Sequence, residues 1–218
     1  EIEDWDKAEE HFNEVLTLDE DNPDALIGVA ECSEGREDFE LAFSRYKNIT
    51  EQDAFNAEAW YGMAVVCEKQ EKYDACLPYI TKALEIDSSD PEYWNFLADL
   101  KEQSGDYDDA IEALDKANGL HPEDMRYWVS KAQLVFKHVD PELGTEVLME
   151  ALKICPDNAD LHYLETAFML ATGQVSEALN FLQNGLELDY SKHLLLFEQY
   201  PEAIHNPRVM DLIQIYGQ

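Results

Sequence analysis

Apolar residues fall along this chain at helical spacing, in short bursts that stop and restart. The clearest burst runs from Pro91 to Asp124. Trp94, Leu97, Ala98 and Leu100 occupy i, i+3, i+4 and i+6, the pattern of one buried helix face. It stops at Ser104-Gly105-Asp106, where glycine can take the left-handed conformation that ends a helix. It resumes with Tyr107, Ala110, Ile111, Leu114 and Ala117, and Pro122 closes the stretch because proline cannot continue a helix interior. The spacing therefore predicts two short helices joined by a tight turn.

The same landmarks return at a fixed interval. Trp60, Trp94 and Trp128 are 34 residues apart, as are Ala64, Ala98 and Ala132, and Ala83, Ala117 and Ala151. A helix pair this short cannot bury its apolar faces alone, but stacked copies can, so the period predicts a solenoid. Ala98 and Ala110 are expected where the paired helices cross, since close approach needs a small side chain.

The period divides the chain. Residues 1–22 match only the second helix of a unit: Trp5, Ala8, Phe12 and Val15 align with Tyr107, Ala110, Leu114 and Ala117 three periods on. The expectation is a truncated repeat in a fragment of a longer array. Residues 23–190 hold five tandem units, opening near Pro23, Ala57, Pro91, Met125 and Ala159. In the fourth, Lys131 stands where Leu97 stood and His138-Val139-Asp140-Pro141 replaces the glycine turn. The fifth is a weaker copy, with His162, Glu165 and Thr166 at the positions of Trp94, Leu97 and Ala98. Residues 191–218 break the repeat. Ser191 is expected to cap a short helix over Leu194–Phe197, and Asn206-Pro207 to start a last one. These read as a terminal cap or, alternatively, as a dimerisation helix. The whole is expected to be one solenoid domain.

One unit carries a W-x2-L-G/A … G-x-Y-x2-A-x3-F/L-x2-A … P pattern in Trp94, Leu97, Ala98, Gly105, Tyr107, Ala110, Leu114, Ala117 and Pro122. In this it resembles the tetratricopeptide repeat family. The resemblance implies an all-α fold, a right-handed superhelical solenoid of antiparallel helix pairs. It also implies a concave groove lined by positions 2, 5, 9, 12 and 13 of each unit. Carried over, these are Asp24, Ile27, Glu31, Glu34 and Gly35; then Glu58, Tyr61, Val65, Glu68 and Lys69; then Glu92, Asn95, Asp99, Glu102 and Gln103. The fourth unit presents Arg126, Val129, Gln133, Phe136 and Lys137, and the fifth Asp160, Tyr163, Ala167, Leu170 and Ala171. Eight of the first fifteen are acidic, so the groove is expected to be acidic early and apolar late. Some family members grip acidic chaperone tails through basic residues and asparagine in this groove. Here Ile27, Glu31, Glu92 and Phe96 stand instead, so such tails are not expected to bind.

Charge narrows the function. Lys+Arg 15 against Asp+Glu 48 leaves −33, which repels nucleic acid, whose binding rests on basic side chains at phosphates. The 45% hydrophobic and 11% aromatic content argues against disorder. No apolar run reaches the length of a membrane span. Cys32, Cys67, Cys76 and Cys155 form no C-x2-C pair, so they read as buried reduced thiols rather than a zinc site, and they fit a cytoplasmic setting. His162 reads as a packed, hydrogen-bonded residue. Asp19-Glu20-Asp21-Asn22-Pro23-Asp24 lacks a calcium loop's glycine and closing glutamate and reads as a helix cap. No nucleophile, phosphate-loop or dinucleotide motif is present. The expected protein is a non-enzymatic interaction scaffold without a cofactor. It binds a protein or peptide segment of basic and apolar character, with apolar anchors at Tyr61, Phe136 and Tyr163. The alternative is a self-associating module, a homodimer through its terminal helices.

Overall fold

A computed structural model describes residues 4–217. Among them are thirteen α-helices and no strand. By its contacts the chain divides into two compact units, one through Ser104 and one from Gly105 onward.

The N-terminal unit holds α1 (Trp5–Leu18), α2 (Pro23–Gly35), α3 (Phe39–Gln52), α4 (Ala57–Lys69), α5 (Tyr73–Ile86) and α6 (Pro91–Ser104). The C-terminal unit holds α7 (Tyr107–Leu120), α8 (Met125–His138), α9 (Pro141–Ile154), α10 (Ala159–Ala171), α11 (Val175–Asp189), α12 (Leu194–Gln199) and α13 (Pro207–Tyr216). In each unit successive helices pack as antiparallel pairs, as in α2 with α3, α4 with α5, α8 with α9 and α10 with α11.

The helix starts repeat with the sequence. Asn22, Asn56 and Asn158 accept from the backbone N–H of Ala25, Ala59 and Leu161, and Asp90 and Asp124 from those of Glu92 and Arg126. These five are spaced by one period, so one capping chemistry starts every first helix. The second helices follow the same rule at Asp4, Asp38 and Asp140. Lys72 holds the matching place in α5 and makes no side-chain cap.

The turns inside the pairs also share a geometry. Glu37, Glu71, Gly105 and Gly173 have φ of 61, 60, 83 and 82°, each one period or two from the next. Glycine takes this left-handed region freely, whereas glutamate is strained there. Val139 occupies the remaining place with φ −117°. A β-branched side chain does not tolerate positive φ, so this turn stays right-handed and Asp140 caps α9 through the N–H of Glu142 and Leu143.

Packing explains the small residues. Ala30, Ala64, Ala98 and Ala132 are buried at the centres of first helices, and Ala64 shares a core with Cys67, Cys76, Ile80 and Ala83. The Phe12 ring lies on Gly28 and the Tyr46 ring on Gly62, one period on; a Cβ at Gly62 would come within 2.5 Å of that ring. Trp60, Trp94 and Trp128 each donate their indole N–H to the carbonyl six residues earlier, at Ala54, Ser88 and Pro122. His162 places Nε2 2.8 Å from the Pro156 carbonyl, the same latch made by a smaller ring.

The C-terminal segment differs from expectation in one detail. Ser191 lies in a 3-10 turn, Tyr190–Lys192, capped by Asp189, and α12 starts at Leu194 with no side-chain cap. Asn206 does cap α13, accepting from the Arg208 N–H at 3.1 Å.

Candidate partner-binding groove

The N-terminal unit gathers its expected groove residues on α2 and α4. Ile27, Glu31, Glu34, Gly35, Glu58, Tyr61, Val65 and Lys69 line one cleft of about 650 Å³. Trp5, Glu37, Phe39, Tyr46 and Gly62 line it too, and these the sequence reading missed. Trp5 reaches the cleft because Gly35 leaves room at the end of α2, where a Cβ would meet its ring at 2.3 Å. Tyr46 arrives through its seat on Gly62. The signal was present: Phe12–Gly28 and Tyr46–Gly62 repeat by one period.

Partial burial and mutual repulsion raise several of the carboxylates here. Burial pushes the Glu31 carboxyl above its ordinary range and neighbouring Glu34 adds to the rise. Burial likewise raises Glu34, opposed by the Tyr46 hydroxyl, which donates to it at 3.3 Å, and by Lys69. Glu58 is raised by burial and then by Glu31, Asp24 and Asp90. Among the described residues lining the cleft Lys69 is the one cation. Arg36 and Arg45 are engaged elsewhere, both clamped on Glu9 of α1, with Arg45 Nη2 at 2.6 Å.

The row continues on α6 with Glu92, Asn95, Asp99 and Glu102. Half-buried Asp99 is pushed up to about 6 by burial, then by Glu68, Glu102 and Glu92. The Asn95 carboxamide oxygen is buried without a hydrogen-bond partner. Tyr61 bridges from α4, its ring 4.8 Å from Tyr93 and 5.5 Å from Phe96. Asp24, Glu58 and Glu31 are exposed at the rim.

The C-terminal unit overturns part of the expectation. Tyr163 and Leu170 are 0% and 6% exposed, because α12 lies on the face of α10 that was expected to be open. Leu196 and Ala203 share a core with Tyr163, Ala167 and Leu170. The cover is pinned at its edges by Lys192 to Asp160 at 2.8 Å and by Gln133 donating to Gln199 at 3.1 Å. Phe136 is also spent on packing, stacked on Phe168 with centroids 3.9 Å apart. Neither Tyr163, Leu170 nor Phe136 is therefore a free anchor. Arg126, Val129 and Gln133 remain together with Met125, Leu161, Leu164 and Leu195 around a smaller cleft of about 290 Å³.

Other candidate chemistry is modest. Cys32, Cys67 and Cys76 are buried free thiols and Cys155 is half-buried; burial pushes the Cys76 thiol up to about 11. Among the described residues no group of three metal-ligating side chains assembles, and no helix is long and apolar enough to cross a membrane. Glu165 is fully buried with both carboxylate oxygens unpartnered, and burial pushes it up to about 8.

Comparison with known proteins agrees with the repeat fold. Tetratricopeptide-repeat models match residues 57–90 and 91–134. No curated protein matches the chain. Among solved structures, YrrB, described as a TPR protein with an unusual peptide-binding site, is 18% identical with a TM-score of 0.64, over 88% of this chain and 98% of its own. PilF of Pseudomonas aeruginosa is 18% identical with a TM-score of 0.66, over 89% and 88%. Yeast Tom70 is 19% identical with a TM-score of 0.68, over 94% of this chain and 46% of its own. At this identity the likeness shows the fold, an all-α solenoid of stacked helix pairs.

Proposed function

Because the chain is a tetratricopeptide-repeat protein, we propose that it is a non-enzymatic scaffold whose N-terminal unit grips a partner segment of basic and apolar character. One observation carries the reading: the cleft on α2 and α4 joins Glu31, Glu34 and Glu58 to Tyr61, Val65 and Ile27 in a single concavity. Carboxylates that raise one another gain from an incoming cation, which relieves their repulsion. An exposed ion pair contributes only about 0–1 kcal/mol, so several act mainly on encounter rate and salt sensitivity. Apolar contact with Tyr61 and its neighbours supplies most of the affinity. Of the groove residues expected in the C-terminal unit, Arg126, Val129 and Gln133 line a cleft that a partner can reach.

The test is affinity capture at low and moderate salt with the parent chain and a Glu31→Gln, Glu68→Gln, Asp99→Asn, Glu102→Gln variant. Salt-sensitive capture by the parent, lost in the variant, is the expected result. Equal capture by both excludes the acidic groove.

A second reading, self-association through the terminal helices, is favoured by Val15 and Leu18 on α1 and Ile215 on α13, exposed at 41%, 91% and 65%. It predicts a mass that rises with concentration in sedimentation, and a constant mass excludes it.

A further inference from the structure

The carboxylates of the N-terminal unit form rows as well as a cluster. Asp24, Glu58 and Glu92 hold the same place near the start of α2, α4 and α6. Glu34, Glu68 and Glu102 hold the same place near the ends of those helices. The separation of ten positions between the two rows corresponds to about 15 Å along a helix. Between them runs a floor of Ile27, Tyr61 and Val65. The three helices are neighbours: α2 touches α4, and α4 meets α6 through the Tyr61–Tyr93 and Tyr61–Phe96 rings. Packed helices lie about 8–10 Å apart, which sets the spacing from one carboxylate to the next along a row.

An extended peptide advances about 3.3 Å per residue, so about three residues carry it from one helix to the next. Side chains in an extended chain alternate sides. Residues i and i+3 therefore point in opposite directions, one towards each row. A segment laid along the floor with a basic residue at every third position would meet the first row, then the second, then the first again. The two intervening residues alternate in the same way, so they point to the gaps between carboxylates, against the aromatic and aliphatic walls of the cleft, while the backbone lies over the floor.

We propose that the N-terminal unit recognises an extended partner segment carrying arginine or lysine at every third position, with apolar residues between them. The inference rests on the groove reading above and sharpens it from composition to spacing. The aromatic and aliphatic walls of the cleft separate this site from a merely solvated acidic face, because a basic side chain entering it buries its aliphatic stem while its charged head meets a carboxylate.

Three synthetic peptides of identical composition and charge test it. One has four Arg-Leu-Ser units, one has its arginines contiguous, and one places them at i, i+4, i+7 and i+11, on one face of a helix. Binding is read by fluorescence anisotropy at physiological ionic strength, with the full chain and with a variant that neutralises both rows, Asp24→Asn, Glu34→Gln, Glu58→Gln, Glu68→Gln, Glu92→Gln and Glu102→Gln. The expected result is about tenfold tighter binding of the period-three peptide than of the contiguous one, a preference lost in the variant. Equal affinity for all three, or a preference for the helical-face peptide, overturns the spacing rule. If that equal affinity still falls in the variant, the groove reading stands without the rule. Affinity that the variant leaves unchanged overturns both.

Discussion

Tyr61 and Tyr163 occupy the same repeat position, three periods apart, and do opposite things. Tyr61 is half-buried in the wall of an open acidic cleft. Tyr163 is fully buried under Leu196 and donates its hydroxyl to the Asp189 carbonyl at 2.9 Å. The pair teaches that repeat position fixes where a side chain points, while the neighbouring segment decides whether anything can reach it. Here α12 converts a groove into a core. The N-terminal unit is left as the open face, and it is also where the acidic rows stand.

Glu165 offers the largest test of that contrast. The matching residue in the N-terminal unit is Leu97. Its carboxyl ordinarily titrates near 4.5 and in the fold near 8, so folding keeps a proton that the unfolded chain releases. Stability is thus lost as pH rises from about 4.5 to 8, at about 1.4 kcal/mol per pH unit. Glu165→Leu should gain on the order of 3 kcal/mol at pH 7, with the gain fading below pH 5. Denaturant unfolding across pH measures it, and a gain independent of pH would refute the buried-acid account.

Next is Leu196→Ala, which removes the anchor of α12. It should cost about 2–3 kcal/mol and speed hydrogen exchange in α10 while leaving α4 unchanged. Equal acceleration in both helices would mean that α12 is not a local cover.

A smaller effect concerns ligand and pH. With Asp99 titrating at about 6, the groove gains negative charge as pH rises from 5 to 7. Affinity for the period-three arginine peptide should rise severalfold over that interval, and Asp99→Asn should flatten the profile in an anisotropy titration.

Two substitutions probe the periodic frame itself. Lys72→Asp supplies the missing cap of α5 and should add about 1 kcal/mol. Glu37→Gly relieves a left-handed glutamate and should add about 0.5–1 kcal/mol, the strain relieved being partly offset by a more flexible unfolded chain. Thermal unfolding checks both, and no gain at Glu37 would mean that its turn is unstrained.

Much of this was legible in the chain because it is local and periodic. Helix pairs and the buried alanines follow from residues three, four and 34 apart, whereas the groove-facing positions of α2 and α4 came from the resemblance to the tetratricopeptide repeat. His162 could be read as a packed hydrogen-bonding residue because tryptophans mark its position in three other units. The rest is non-local. Nothing in the spacing around Tyr163 or Leu170 announces α12, because the repeat has ended where that helix begins. Trp5 was assigned to a helix face, yet its place in the cleft depends on Gly35 being too small to exclude it. Phe136 met its partner Phe168 through a pairing between helices rather than within one.

The indole latches carry a further consequence. Each ties the loop ahead of a first helix to that helix by a side-chain bond six residues long, at Ala54, Ser88, Pro122 and, through His162, Pro156. A protease must draw a segment into an extended strand before cutting it, and a tethered loop resists this. The turn at Glu71-Lys72 has no such tether. It combines a left-handed glutamate, a lysine that caps nothing, and Pro78 in the helix that follows. Lys72 is exposed, so digestion under native conditions should open the chain there first, between the two helices that share the Ala64–Cys76 core.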